Sequence, residues 1–212
     1  MQGFFHSVRL NEARCKGCVN CIKHCPTEAI RIRHGKAEIT EERCIDCGEC
    51  IRQCVNHAKT AVTDKMANLD RYRYNIALPA PSLYAQFPVK VREQEIETAL
   101  IAIGFDDVFE VAWAAELVSA AIDEFLKSSI RQTLKKPLLS SACPAVVRLL
   151  QVRFPELLDN IVPIPPPVEV AAVQARRDAA AKTGFQPDEI GVWFITPCPA
   201  KATTVRHPLG VK

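Results

Sequence analysis

Phe5–Arg9 alternates weakly between apolar and polar residues and reads as a strand. Ala29–Arg33 and Ala37–Thr40 read as short strands joined at a His34-Gly35 turn, and Ala58–Thr63 as a closing strand. Val19–His24 and Glu49–Gln53 read as short helices. Met66–Tyr74 is polar and predicts a connecting helix; Tyr74–Ala80 then reads as a buried strand that turns at Pro81. Apolar residues at Val91, Ile96, Ala99, Leu100 and Ile103 form a helical stripe over Lys90–Gly104, closed by a glycine. Asp107–Val111, Pro137–Ser141 and Ile190–Thr196 read as strands; Trp113–Lys127, Ala145–Phe154 and Val168–Lys182 read as helices. Pro144 starts one of these helices, and the stiff Pro165-Pro166-Pro167 introduces another. Short strands and helices first, then alternating strands and long helices, predict an α+β module followed by an α/β layer with a mainly parallel sheet.

The cysteines change this picture most. Eight of the ten lie between Cys15 and Cys54, and they repeat: Cys15, Cys18, Cys21 and Cys25 recur as Cys44, Cys47, Cys50 and Cys54, each displaced by 29 residues. A repeat this short, present twice, reads as a duplicated module with a pseudo-twofold axis. Each half is Cys-x2-Cys-x2-Cys-x3-Cys, the run that carries iron–sulfur clusters in bacterial ferredoxins, and Pro26 follows the first. Three ligands fit one tight turn around a four-iron cubane, whereas the fourth leaves on a short helix and reaches the other cubane. That predicts two [4Fe-4S] clusters, one on Cys15, Cys18, Cys21 and Cys54, the other on Cys44, Cys47, Cys50 and Cys25. Zinc would leave thiols in each run unexplained. Disulfides at three-residue spacing are geometrically poor. His24 and His57, beside the module, read as surface histidines.

Composition narrows the function classes. The 212 residues are 48% hydrophobic, enough for a packed core. The net charge is +3, so no strong basic field points to nucleic acid. No apolar run approaches the roughly 18 residues a membrane span needs, and no export signal opens the chain. Clustered thiols then suggest a reducing, cytoplasmic setting. No glycine-rich phosphate loop is present. Residues 1–60 hold 10 basic and 7 acidic side chains, the remainder 17 and 17. A mildly basic module suits electron transfer within one polypeptide, or from an acidic redox partner protein.

Cys143 and Cys198 stand apart, each predicted after a strand and before a proline or helix. In α/β sheets, sites gather at the carboxyl ends of strands. Here the residues resemble a family. Ser141-Ala142-Cys143-Pro144 resembles the Thr-Ser-Cys-Cys-Pro segment of iron-only ([FeFe]) hydrogenases, and Pro197-Cys198-Pro199-Ala200-Lys201 resembles their Met-Pro-Cys-Thr-Ala-Lys segment. Ala80-Pro81-Ser82 is similar to the Ala-Pro-Ala that opens the same catalytic domain, and a two-cluster ferredoxin module upstream is the family's arrangement. The resemblance implies a two-cluster ferredoxin domain over 1–64, a linker over 65–75, and the N-terminal part of a hydrogenase-type α/β domain over 76–212. It implies that Cys143 and Cys198 are two of four thiolates holding an H-cluster if the chain is completed. Lys201 would bond a cyanide of that cluster, and Ala80 and Pro81 would line its two-iron unit, with H2 and protons as the substrate.

The departures from the family carry as much meaning. Ala142 replaces the cysteine that relays protons, and alanine has no transferable proton. Thr204 stands where an acidic residue is expected, and Thr196 where a methionine is expected. No Cys-x3-Cys follows Cys198 to supply the other two thiolates, which reads as a chain belonging to a longer protein, with completion by another chain or loss of the site as the alternatives. These losses imply a divergent, hydrogen- or redox-sensing branch, for which a downstream sensor domain would be the companion. A working hydrogenase (2H+ + 2e− ⇌ H2) and a non-enzymatic factor of iron–sulfur assembly are the competing readings.

Overall fold

The computed structural model of the protein describes residues 5–128 and 136–206. They form two compact units that interleave in sequence, one comprising 5–63, 136–163 and 198–206, the other 64–128 and 164–197.

In the first unit the 29-residue repeat becomes a repeat of backbone. Helix α1 spans Asn20–Lys23 and α2 spans Glu49–Arg52. Each helix leads to a strand, β2 (Ile30–Arg33) in the first half and β4 (Lys59–Ala61) in the second. Strand β1 (Val8–Leu10) precedes the first cysteine run and β3 (Lys36–Ile39) the second. The strands pair across the repeat: β1 runs antiparallel to β4 with Val8 opposite Ala61, and β2 antiparallel to β3 with Ile30 opposite Ile39. Each two-stranded sheet therefore takes one strand from each half. The β2–β3 hairpin turns at His34 (φ 48°) and Gly35 (φ 71°), the paired left-handed residues that match strand twist in a two-residue turn. The same unit contains α6 (Pro144–Arg153) and α8 (Pro199–Arg206), which pack together.

The second unit is built on a parallel sheet in which β5 (Tyr74–Pro79) lies between β6 (Asp107–Val108) and β7 (Ile190–Ile195). Tyr74 pairs with Ile190 and Pro79 with Ile195 along its length. Alternation along β5 feeds two cores. Ile76 and Leu78 pack with Val111 and Ala114 of α5 (Val111–Lys127) and with α7 (Pro167–Thr183). The short α3 (Pro81–Tyr84) follows β5, and Ala77 packs with Leu69, Phe105 and Leu100, the last on α4 (Glu93–Ala102). Ala171, Ala175 and Ala179 recur every four residues along α7, and their small side chains let it lie close to the sheet. Among the described residues no helix is long and apolar enough to cross a membrane.

Three elements depart from the pattern-based expectation. The strand expected over Asp107–Val111 shortens to β6, because Val111 already opens α5. Met66–Arg71 is a 3-10 turn rather than a connecting helix through Tyr74, which already belongs to β5; its one buried side chain, Leu69, anchors it. Pro137–Ser141 forms no strand. Leu139 makes an isolated parallel bridge to Ile161, with its N–H on the Asn160 carbonyl at 2.9 Å. Pro137 has no N–H to extend such a ladder, and its carbonyl instead accepts from Asn160 Nδ2 at 2.7 Å.

Leu78, 1% exposed at the centre of β5, joins sheet and helices in the larger core. Leu78→Ala is expected to cost about 2–5 kcal/mol, read from the denaturant midpoint; a loss well under 1 kcal/mol would contradict this packing.

Candidate metal centre

The duplicated loops enclose two cavities. One is lined by Cys25, Cys44, Cys47 and Cys50. The other is lined by Cys15, Cys18, Cys21 and Cys54. Each cavity draws three cysteines from one half of the repeat and its fourth from the other half. None of the ten cysteines is joined in a disulfide.

The backbone around the two cavities is matched position by position. Gly17 (φ 68°) and Asp46 (φ 50°) occupy equivalent left-handed positions after the first cysteine of each run. Glu28 (φ 54°) and His57 (φ 47°) do the same after the fourth. These reversals aim the following N–H groups back at sulfur: Ala29 N–H donates to Cys25 Sγ and Ala58 N–H to Cys54 Sγ, both at 3.2 Å. Gly17 has a second constraint, because a Cβ there would run into the Gly35 carbonyl at the β2–β3 turn. Asp46 tolerates the left-handed conformation because its carboxylate is tied down. Oδ1 accepts from Val8 N–H at 3.0 Å, and Oδ2 lies 2.7 Å from His6 Nδ1.

The electrostatics favour a cation at the thiols. Burial, reinforced by Asp46 and neighbouring thiols, pushes the Cys44 thiol up to about 12. Burial also pushes Cys50 up to about 12, against the pull of Lys59. Cys21 and Cys47 are raised by burial too. Cys15 moves the other way: burial pushes it up, but the Gly17 and Ala37 N–H groups and Lys36 and Lys59 outweigh it. Thiols crowded this way become thiolates when a metal binds them. Lys59 gives a further sign. It is 2% exposed, it lines the cavity of Cys15, Cys18, Cys21 and Cys54, and its Nζ has no hydrogen-bond partner among the described residues. A buried ammonium is costly without an anion beside it, and a thiolate-bound metal centre supplies one. Four thiols per cavity, N–H donors on sulfur and this ammonium fit iron–sulfur groups.

Sequence reading missed Lys59, Asp46 and His6. Asp46 could have been found by comparing the repeats, since it stands where the first half has Gly17. His6, Cys44 and Asp46 place ligand atoms within 4.8 Å of one another. Cys44 already belongs to a four-thiol set, so this trio serves to fix the β1 end of the chain to the second loop. His24 and His57 are exposed, as the sequence suggested.

Cys143 immediately precedes α6 and is exposed; Cys198 immediately precedes α8 and is half-buried. The two helices they open pack together, and α8 is fastened to the residue that leads into β1: the Ser7 hydroxyl donates to the Pro199 carbonyl at 2.7 Å and Ser7 N–H to Thr203 Oγ1 at 3.1 Å. Lys201 lies in α8 and is half-buried, and Ala142 is exposed beside Cys143. Ala80 and Pro81 belong to the sheet unit, where Ala80 follows β5 and donates its N–H to the Ile195 carbonyl at 3.0 Å.

Residues 73–209 match the family of the iron-only hydrogenase large subunit, C-terminal domain, and residues 7–55 match the 4Fe-4S dicluster domain. The periplasmic [Fe] hydrogenase large subunit of Nitratidesulfovibrio vulgaris is 31% identical over 212 residues, covering 92% of this chain and 50% of that protein. The NADP-reducing hydrogenase subunit HndD of Solidesulfovibrio fructosivorans is 25% identical, covering 95% of this chain and 32% of its own. The chain thus spans half or less of the length of these relatives. A solved [FeFe]-hydrogenase, HydA(deltaEFG), superposes with a TM-score of 0.54 at 20% identity over 68% of this chain and 39% of its own, a likeness of fold.

Gly17→Ala should force the Cys15–Cys21 loop off the Gly35 carbonyl and lower the iron bound per chain after anaerobic reconstitution, read by iron and sulfide analysis. Full iron content in the variant would contradict the close approach.

Proposed function

Because the chain belongs to the iron-only hydrogenase large-subunit family, we propose that it is an electron-transfer protein whose hydrogenase-like region senses hydrogen or redox state rather than turning hydrogen over rapidly. The observation that carries this reading is Ala142. It stands where the resemblance places the proton-relaying cysteine, its own N–H is spent on Ser140 Oγ at 3.2 Å, and its methyl group can neither accept nor release a proton.

In this reading Cys15, Cys18, Cys21 and Cys54 hold one [4Fe-4S] cluster, and Cys44, Cys47, Cys50 and Cys25 the other. Such clusters supply one-electron storage. The chain's own groups tune that role: the Ala29 and Ala58 N–H groups draw charge from the Cys25 and Cys54 sulfurs and so favour electron uptake. Cys143 and Cys198 supply two thiolates of an H-cluster site, Lys201 offers an ammonium to a cyanide ligand, and Ala80 and Pro81 line the two-iron unit. Electrons pass to or from a redox partner protein, and a downstream sensor domain would take the signal onward. The packing of α6 on α8, which brings the segments of Cys143 and Cys198 into one unit, supports a hydrogenase-type site of either speed.

Cys54→Ala and Cys25→Ala should each remove about four irons per chain, and each should abolish a different cluster signal in EPR of the reduced protein. Loss of the same signal from both variants would contradict the crossed ligand sets. In the full-length, fully metallated protein, hydrogen evolution should be slow, and Ala142→Cys should raise it about 10²-fold or more. Fast turnover with Ala142 in place, or no gain on restoring the cysteine, would overturn the sensing reading. Absence of infrared CO and cyanide bands would favour an assembly factor instead.

A further inference from the structure

The two cavities are matched in backbone and in thiols, yet they are opposite in charge. The charged side chains lining the cavity of Cys15, Cys18, Cys21 and Cys54 are Lys16 and Lys59. Those lining the cavity of Cys25, Cys44, Cys47 and Cys50 are Asp46 and Glu49. Shifted by the 29-residue repeat, every one of these positions is uncharged in the other half. Lys16 corresponds to Ile45, Lys59 to Ile30, Asp46 to Gly17 and Glu49 to Asn20. The duplication thus supplies an internal control, in which geometry is held constant and the sign of the lining charge is reversed.

The four charges differ in reach. Lys16 is exposed, and Glu49 is neutralised by Arg52 at 2.8 Å, so solvent and the partner weaken both. Lys59 and Asp46 are each 2% exposed. Fields of buried charges are screened far less than those at the surface. Lys59 Nζ has no hydrogen-bond partner among the described residues, whereas Asp46 has His6 against its Oδ2 at 2.7 Å. Lys59 is therefore the stronger of the two.

We infer that Lys59, seconded by Asp46, fixes the order in which the module takes up electrons: the cluster held by Cys15, Cys18, Cys21 and Cys54 is reduced before the one held by Cys25, Cys44, Cys47 and Cys50. The step is the uptake of one electron from a low-potential donor, with no bond made or broken. It adds one negative charge to a group that is already anionic through its four thiolates. A neighbouring ammonium stabilises the more negative, reduced form and raises the potential; a neighbouring carboxylate lowers it. An electron shared within the module then resides on the Lys59 side. The inference rests on the reading of both cavities as iron–sulfur sites. Lys59 acts through the cluster environment and is a tuning residue, not a ligand.

The test is an EPR-monitored dithionite titration of the full chain after anaerobic reconstitution, preceded by iron and sulfide analysis. Absence of iron at that first step would defeat the iron–sulfur reading itself; the titration then addresses only the order of reduction. Lys59→Ile, which copies the other half's residue, should lower the higher of two midpoints by at least a tenfold change in the one-electron equilibrium, about 59 mV. Lys59→Arg should retain the wild-type midpoint, and Asp46→Asn should raise the lower one. A fully loaded Lys59→Ile protein with the higher midpoint unmoved would overturn the inference. Should that variant load poorly, the wild type decides alone. Sequence-assigned, paramagnetically shifted cysteine β-protons in NMR of the partly reduced protein should report Cys15, Cys18, Cys21 and Cys54 first, and first reduction at Cys44, Cys47 and Cys50 would overturn it.

Discussion

Cys25 and Cys54 each lie in one half of the repeat and line the cavity of the other half, and the rest of the metal-binding unit is arranged around that crossing. The strands cross in the same sense, β1 with β4 and β2 with β3, so neither half can form its sheet or complete its thiol set alone. The hairpin at His34-Gly35 follows from this exchange: it brings β3 back along β2 and sets the Gly35 carbonyl against Gly17, where only glycine fits. The left-handed residues before Ala29 and Ala58 follow too, because they turn an N–H onto each crossing sulfur. Folding and metal binding are coupled here. Forming thiolate at these buried sulfurs and burying the Lys59 ammonium are each unfavourable alone, and a bound metal centre offsets both.

Much of this was legible in the residues because a repeated metal-ligand spacing is a stronger signal than propensity. Local alternation and the His34-Gly35 turn marked the four short strands. The 29-residue displacement ordered the eight cysteines into two runs and implied the crossed sets that line the two cavities. Helix α4 announced itself through an apolar stripe and α6 and α7 through the prolines that open them, and the observed bounds of these and of α5 shift by only a few residues. What could not be read was pairing at a distance. Leu139 sits in a stretch that looks like a strand, but Pro137 limits it to one bridge. Met66–Arg71 looks like a helix by polarity, but a single buried anchor, Leu69, holds it as a tight turn. Lys59 reads as an ordinary basic residue in a half-exposed strand; only the tertiary structure shows that its pairing opposite Leu10 turns it inward, beside four thiols.

The second group of residues is legible in a different way. Cys143, Cys198 and Lys201 were singled out by resemblance, and the structure adds a physical link. The helices that begin at the two cysteines pack together, and Ser7 ties the second of them to the loop region that carries Asp46 and Cys44. Membership of the iron-only hydrogenase family accounts for both groups in one chain. On the proposed sensing reading, Ala142 is the position where this chain departs from the family's proton chemistry, because proton transfer needs a titratable group and a methyl group is not one.

Whether the two crossed thiol sets bind iron–sulfur clusters is read from metal and acid-labile sulfide analysis of the anaerobically prepared protein, combined with EPR after reduction. About eight irons and eight sulfides per chain are expected, with two paramagnetic centres. Stoichiometric zinc without iron would contradict iron–sulfur binding.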